Sequence, residues 1–185
     1  MVFQLHRHPQ STRCAGLNVS ADLVCEENTA VFRYRVAGAM EGDDQAIAIP
    51  DTKTPARKDG LWHRTCFEAF IGRADGYLEL NFSPSTQWAA YLFDGYRVGM
   101  RDALDITDVA IDFQSDDDGT LNLTARIALD ALKASLPTPS QLALFTIVRQ
   151  DDDAMTYFAL EHPDGDHEFH HGDCFAAQTP RFLNP

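Results

Sequence analysis

Residues 60–100 contain three short runs rich in aromatic and aliphatic side chains, and turn-forming residues separate each run from the next. The runs cover residues 66–72, 77–82 and 88–93. Short apolar runs bounded by Gly, Pro, Asp or Ser are typical of β-strands joined by tight turns. This stretch therefore predicts a meander of three antiparallel strands, which the fold of the whole chain has to accommodate.

The rest of the sequence repeats this pattern of short strands and turns. Further strands are predicted at residues 2–5, 17–25, 29–36, 46–49, 109–114, 121–127, 142–149 and 155–160. Residues 129–134 give the one helical turn, which Pro137 and Pro139 end. Roughly ten short strands with turn signals between them are typical of an all-β fold. We predict a single domain over residues 1–185, an antiparallel, jelly-roll-like β-sandwich.

Charge and composition exclude several classes of partner. The chain has 15 Lys and Arg residues against 28 Asp and Glu residues, a net charge of −13, which disfavours binding to nucleic acid or to an anionic membrane. The N-terminal residues lack the apolar segment of an export signal, so we expect a cytoplasmic protein. The four cysteines form no CxxC pair. They are expected to be reduced thiols, and no metal or cofactor is expected.

Polar residues lie within the predicted meander strands. Strand alternation places Glu68 on one face with Cys66 and Phe70, and it places Glu79 and Asn81 together on one face of the next strand. If these two faces coincide, two carboxyl groups and an amide converge. Otherwise these residues belong to a solvated outer surface of the sheet, and the sequence leaves both alternatives open.

A family resemblance is carried by LWHRTCFEAFIG followed by YLELNFSPSTQWAAYLFDGYRVGM. These segments resemble the DOMON-like domains related to the family-nine carbohydrate-binding modules. The run YFALEHPDGDHEFHHGDCF is similar to the tail of one uncharacterised bacterial branch of that group. Together they cover about a third of the chain. The resemblance implies a β-sandwich of a group whose members bind sugars or, in some branches, haem.

The resemblance also implies site residues. In the sugar-binding members a tryptophan precedes a glutamate on the first meander strand and an asparagine on the next, and here these are Trp62, Glu68 and Asn81. The chain departs from the pattern at Glu79, where sugar binders carry a basic residue. It also has no tryptophan near its C-terminus to complete an aromatic clamp. The tail pattern implies that residues 169–171 fold over the sheet face in its place.

We therefore expect non-catalytic binding of a small polar ligand, foremost a saccharide or a cell-wall precursor. The expected ligand-binding residues are Trp62, Glu68, Glu79, Asn81, Trp88, Tyr91, Phe169, His170 and His171. One alternative is a protein-interaction module, which needs a large exposed apolar patch around Trp62. A second is a glycoside-hydrolase-like carboxylate pair, which needs Glu68 or Glu79 buried enough to raise a pKa.

Overall fold

The computed structural model describes residues 1–184, in which twelve strands and one short α-helix account for the regular structure. The strands are β1 (Val2–Arg7), β2 (Leu17–Glu26), β3 (Thr29–Gly38), β4 (Cys66–Arg73), β5 (Gly76–Phe82), β6 (Trp88–Phe93), β7 (Arg101–Asp102), β8 (Ala110–Ser115), β9 (Leu121–Ala128), β10 (Gln141–Arg149), β11 (Met155–Ala159) and β12 (Ala177–Gln178). The helix α1 is Leu129–Ser135, and single 3-10 turns lie at Leu61–His63, Gly172–Cys174 and Arg181–Leu183. No helix within residues 1–184 has the length and apolarity needed to cross a membrane.

All strand pairs are antiparallel, in the order β7-β6-β5-β4-β10-β11-β1-β2-β3-β9-β8, with β12 on the end of β10. The strand β1 connects two layers because its halves have different partners. Its first four residues pair with β2, whereas His6 and Arg7 pair with β11. The sheet thereby turns back on itself at β1.

The two layers face each other across a hydrophobic core. Phe32 and Tyr34 of β3 contact Phe82 of β5 and Phe67 of β4, with ring centroids 5.3 Å apart in the pairs Phe32–Phe82 and Tyr34–Phe67. The buried Tyr34 hydroxyl donates a 2.7 Å hydrogen bond to the backbone carbonyl of Glu68 in the opposite layer. The predicted all-β antiparallel sandwich with one short helix is confirmed, and the three meander strands lie within one residue of the predicted bounds.

One local prediction is wrong. Residues 46–49 form no strand, and only Ile47 makes an isolated bridge, to Gln150. Pro50 directly after this segment has no backbone N–H for a longer ladder. The loop at residues 51–60 is mostly exposed, and the Arg57 guanidinium anchors it by donating to the backbone carbonyls at positions 90, 103 and 106. The guanidinium also lies 4.6 Å from the centre of the Trp88 ring.

The turn between β4 and β5 depends on a glycine. Gly76 has φ of +147°, and a Cβ there would come within 2.2 Å of the Phe93 carbonyl oxygen on β6. Gly119, in the turn between β8 and β9, has φ of +81° but open space around its Cβ position. Substitutions at these two glycines therefore distinguish the cost of backbone strain from the cost of a steric clash.

We predict that Gly119→Ala lowers the free energy of unfolding by about 1–2 kcal/mol through backbone strain alone. Gly76→Ala adds a clash with backbone and is expected to cost roughly 3–4 kcal/mol. Urea unfolding measures both values. Equal losses in the two variants would contradict the close approach of β5 to β6.

Candidate functional site

Cross-strand register places the polar meander residues on one side of the sheet. Glu68 lies opposite Asn81, Phe70 opposite Glu79, and Glu79 opposite Tyr91. Residues that lie directly opposite in an antiparallel pair project to the same face. Glu68, Glu79 and Asn81 therefore share the face of the sheet that points away from the sandwich core, which we call the outer face.

The outer face continues over β10 and β11 as an apolar surface. Phe145 lies opposite Glu68, Ile147 lies opposite Cys66, and Tyr157 lies opposite Ile147. These side chains belong to a hydrophobic cluster separate from the sandwich core. The two carboxyl groups are thus set into an aromatic and aliphatic surface.

The segment after β11 covers this face. The Phe169 ring stacks on Phe145 with centroids 4.1 Å apart, and the His167 ring stacks on Tyr157 at 3.7 Å. Under this cover Glu68 is only 2% exposed and Glu79 only 4%. The alternative of a solvated sheet surface is therefore wrong, because the tail takes the place of solvent.

An ion pair ties the cover to the turn after β6. The Arg97 guanidinium contacts both carboxylate oxygens of Glu168 through two nitrogens, at 2.9–3.3 Å. Glu168 also accepts a 3.0 Å hydrogen bond from the backbone N–H of His170. Burial alone would raise the pKa of Glu168, but the bonds from Arg97 and from this N–H lower it. The pair joins two loops on opposite sides of the outer face.

A cavity of about 450 Å³ lies between the outer face and its cover. This volume falls in the range of roughly 300–1,000 Å³ that is typical of small-molecule sites. Its lining consists of Trp62, His63, Glu68, Phe70, Glu79, Phe93, Arg97, Met100, Ile147, Met155, Tyr157, His167, Phe169 and His170. The buried carboxyl groups belong to the sheet, whereas the exposed His63, Arg97 and Met100 mark the rim.

The carboxyl groups are poorly supplied with hydrogen-bond donors. Asn81 Nδ2 donates a 2.7 Å bond to Oε1 of Glu79. The buried Oε1 of Glu68 and the buried Oδ1 of Asn81 have no hydrogen-bond partner within residues 1–184. Two acceptors on the outer face are therefore unpaired.

Burial shifts the protonation of both carboxyl groups. Desolvation, followed by the charge of Glu79, raises the pKa of Glu68 well above its ordinary value. Desolvation raises the pKa of Glu79 to about 7, although the bond from Asn81 and the charge of Arg97 oppose the shift. Near neutral pH the pair therefore retains protons that exposed glutamates would have lost.

His170 is the nearest titratable group of the cover. Its Nδ1 lies 2.6 Å from the Tyr77 hydroxyl, and its Nε2 lies 3.9 Å from Oε2 of Glu79, which is too long for a hydrogen bond. Burial, and next the charge of Arg97, lower the pKa of His170 to about 4. The imidazole is therefore neutral at pH 7 and supplies no positive charge to the carboxyl pair.

The structure brings most of the predicted site residues together. Trp62 lines the cavity and meets Tyr91 edge-on, with centroids 6.1 Å apart. Tyr91 lies behind Trp62 on the outer face, where its hydroxyl donates a 2.7 Å bond to Asp59. Phe169 and His170 lie over the face, as the tail pattern implies. Trp62, Glu68, Glu79, Phe169 and His170 reach the cavity directly, whereas Asn81 acts through Glu79.

Two predicted residues lie elsewhere. Trp88 is 3% exposed and packs in the sandwich core, because it has the opposite strand parity to Ala89 and Tyr91 on β6. His171 is exposed and lies next to Asp173, whose backbone N–H donates to its Nδ1 at 3.3 Å. Both are therefore removed from the candidate site.

Sequence reasoning did not select several residues that line the cavity. Strand parity with Glu68 identifies Phe70, and strand parity on β11 places Tyr157 on the same face as Met155. Arg97 and Met100 lie in an irregular loop whose sequence carries no such signal. Met155 and His63 also line the cavity. No group of three or more His, Cys, Asp or Glu side chains in the described part of the chain is placed to hold a metal ion.

No protein-family model matches this sequence, and no curated protein sequence matches it either. Solved structures share its fold. A Bacteroides uniformis protein with a proposed carbohydrate-binding role has a TM-score of 0.59 and 12% identity, over 95% of this chain and 84% of that protein. A family-nine carbohydrate-binding module from Caldicellulosiruptor kristjanssonii, solved with cellotriose, has a TM-score of 0.51 and 10% identity, over 88% of this chain and 75% of the module.

At these identities the likeness shows the fold. It supports the resemblance to the family-nine modules at the level of architecture. The more specific relation to DOMON-like domains stays a prediction.

The pKa of Glu79 generates a stability test. An unfolded Glu79 loses its proton near pH 4.5, whereas the folded protein retains it to about pH 7. Between these values the folded state binds more protons, so this group's contribution to the free energy of unfolding falls as pH rises. The difference between a pKa of 4.5 in the unfolded state and about 7 in the folded state corresponds to about 3 kcal/mol of unfolding free energy.

We predict that Glu79→Gln becomes progressively more stable than the wild type between pH 5 and pH 8, by about 2–3 kcal/mol. Urea unfolding at each pH measures the difference. Titration of His170 contributes to both proteins and largely cancels. Glu161→Gln, at an exposed glutamate, is the control and is expected to follow the wild type. A pH-independent difference for Glu79→Gln would contradict the desolvated carboxyl group.

Proposed function

We propose that this protein binds a saccharide or a cell-wall precursor fragment, without catalysis, in the cavity on the outer face. The observation that carries the proposal is the convergence of unpaired polar acceptors with aromatic side chains inside one enclosure. Sugar recognition needs an apolar surface for the ring and fixed polar groups for the hydroxyls. Trp62 provides the apolar surface, and Glu68 and Glu79 provide the polar groups.

The geometry assigns a role to each group. Trp62 is half-buried at the cavity wall and presents an indole surface for stacking. Glu68 lines the cavity, where its carboxyl group accepts a ligand hydroxyl. Asn81 holds Glu79 in position through its 2.7 Å bond. Phe169 and His170 close the cavity from above in the place of a second tryptophan.

The similar module solved with cellotriose supports the choice of ligand class. The protein-interaction alternative needs an exposed apolar patch centred on Trp62, but Trp62 faces a concave cavity that contains polar groups. The exposed apolar side chains Tyr96, Val98, Met100 and Leu104 fall within residues 96–104, and of these four only Met100 lines the cavity. The enclosure favours a small ligand over a protein surface.

One observation favours a second candidate function, glycoside hydrolysis. The pKa of Glu79, raised to about 7 by burial, is that of a carboxyl group able to act as a general acid near neutral pH. The second carboxyl group, Glu68, shares its face. A raised pKa also follows from burial alone, so binding remains our primary proposal and hydrolysis is scored in the same experiment.

We predict that cellotriose or a peptidoglycan-derived saccharide binds the wild type and that Trp62→Ala weakens binding at least roughly tenfold, since stacking area is lost. Isothermal titration calorimetry measures the affinities. His171→Ala, an aromatic truncation outside the cavity, is the matched control and is expected to bind like the wild type.

Chromatography of the saccharide recovered from each titration separates the two candidates. Intact ligand supports binding, whereas breakdown that disappears in Glu79→Gln supports hydrolysis. The absence of binding to any saccharide tested, or equal losses in the Trp62 and His171 variants, would overturn the proposed site.

A further inference from the structure

The cavity offers a ligand two carboxyl groups and no unengaged cation of its own lining. Glu68 and Glu79 line it at 2% and 4% exposure. Oε1 of Glu68 and Oδ1 of neighbouring Asn81 are buried acceptors without a partner in residues 1–184. A buried carboxylate that lacks both counter-charge and donors is unfavourable. Whatever fills the cavity is therefore selected for its donors.

The cations around the cavity do not supply these donors. Arg97 is the only Lys or Arg side chain in the lining, and its guanidinium is engaged by both oxygens of Glu168. Burial lowers the pKa of His170 to about 4 and also lowers the pKa of His167, so both imidazoles are neutral at pH 7. His63, the remaining histidine, lies at the exposed rim.

The neighbouring titratable groups do not supply a positive charge to the carboxyl pair either. The Cys66 thiol and the Tyr77 and Tyr157 hydroxyls pack around the carboxyl pair, and burial raises the pKa of each. These groups are neutral at pH 7. The Glu68 and Glu79 pair thus has no unengaged cation of the cavity lining to balance it, and it holds protons that a cationic ligand would displace.

Resting on the proposed saccharide function, we propose that the ligand is an amino sugar whose free, protonated amine sits against Glu68 and Glu79. An ammonium group has three N–H donors and one positive charge, so it can both donate hydrogen bonds to the carboxyl groups that line the cavity and neutralise a carboxylate. A neutral sugar supplies donors without charge. A uronic acid or a sugar phosphate would add negative charge beside the buried pair and is disfavoured.

A bare metal ion fits the cavity less well than an ammonium group. Divalent ions need three or more ligands, and the described side chains contain no such group of His, Cys, Asp and Glu. An ammonium group needs only hydrogen-bond acceptors, and the cavity lining offers these in the carboxyl groups of Glu68 and Glu79. The aromatic walls are then available for the sugar ring.

The test compares three β-1,4-linked trimers that differ only at carbon 2: glucosamine, N-acetylglucosamine and glucose. Isothermal titration calorimetry at about pH 6 is expected to give an affinity for the glucosamine trimer that is roughly tenfold or more above the other two. In two buffers of different ionisation enthalpy, its binding is expected to release protons. Cellotriose is expected to release none, because the ammonium displaces protons that the carboxyl pair holds.

Two variants test whether the preference for the amine arises at Glu68 and Glu79. Glu68→Gln/Glu79→Gln keeps the shape of the cavity without its charge and is expected to bind all three trimers alike, with no proton release. Glu161→Gln removes one exposed carboxylate of the same kind and is expected to keep the preference. The proton count on the wild type stands even where the double variant does not fold.

The outcomes separate the two proposals. Binding of cellotriose equal to that of the glucosamine trimer, without proton release, would overturn the amino-sugar inference and leave saccharide binding intact. Failure of all three trimers to bind would overturn the saccharide function, and the inference with it. A preference that survives in the double variant would also overturn the inference, because the amine would then be recognised elsewhere.

Discussion

The stacking of Phe169 and His167 on the sheet controls the chemistry of the outer face. These contacts remove water from a surface that already contains Glu68 and Glu79. Without that cover, two adjacent glutamates on an exposed sheet would be ordinary ionised side chains. With it, desolvation raises their pKa values and leaves acceptors unpaired. Site and cover thus form one unit.

Burial of the Glu68 and Glu79 pair lowers the stability of the folded protein. A buried carboxyl group with an unpaired oxygen disfavours folding, and a core of apolar side chains would avoid the cost. Local violations of this kind are typical of functional sites, where the surrounding structure has to compensate. Here the compensation comes from the aromatic pairs of the cover and from the continuous sheet beneath it.

The sequence predicts the sheet better than the site. Strand alternation predicts that Glu68 shares a face with Phe70 and Glu79 with Asn81, because every second residue of a strand projects to the same side. Trp88 and Tyr91 project to opposite faces of β6, so alternation excludes Trp88 from the outer face once the register is known. The register between β4 and β5 is what brings the two glutamates together, and it follows from the turn at Gly76.

The cover was harder to predict. The segment after β11 has no periodicity, and its contacts are set by aromatic side chains that meet a surface distant in sequence. The family resemblance pointed to residues 169–171, yet only Phe169 and His170 reach the face, and the next residue turns outward to Asp173. Arg97 belongs to an irregular loop, and its partner Glu168 lies far along the chain. Such pairings depend on tertiary structure.

The central claim is that a saccharide enters the cavity beside Trp62. The two tryptophans give separate indole N–H signals in a ¹⁵N-correlated NMR spectrum, and a Trp62→Phe variant assigns them. Titration with the glucosamine and glucose trimers is predicted to shift the Trp62 signal and to leave that of Trp88, buried in the sandwich core, unchanged. Saturable shifts at Trp88 alone, or no shift at either tryptophan, would contradict the account.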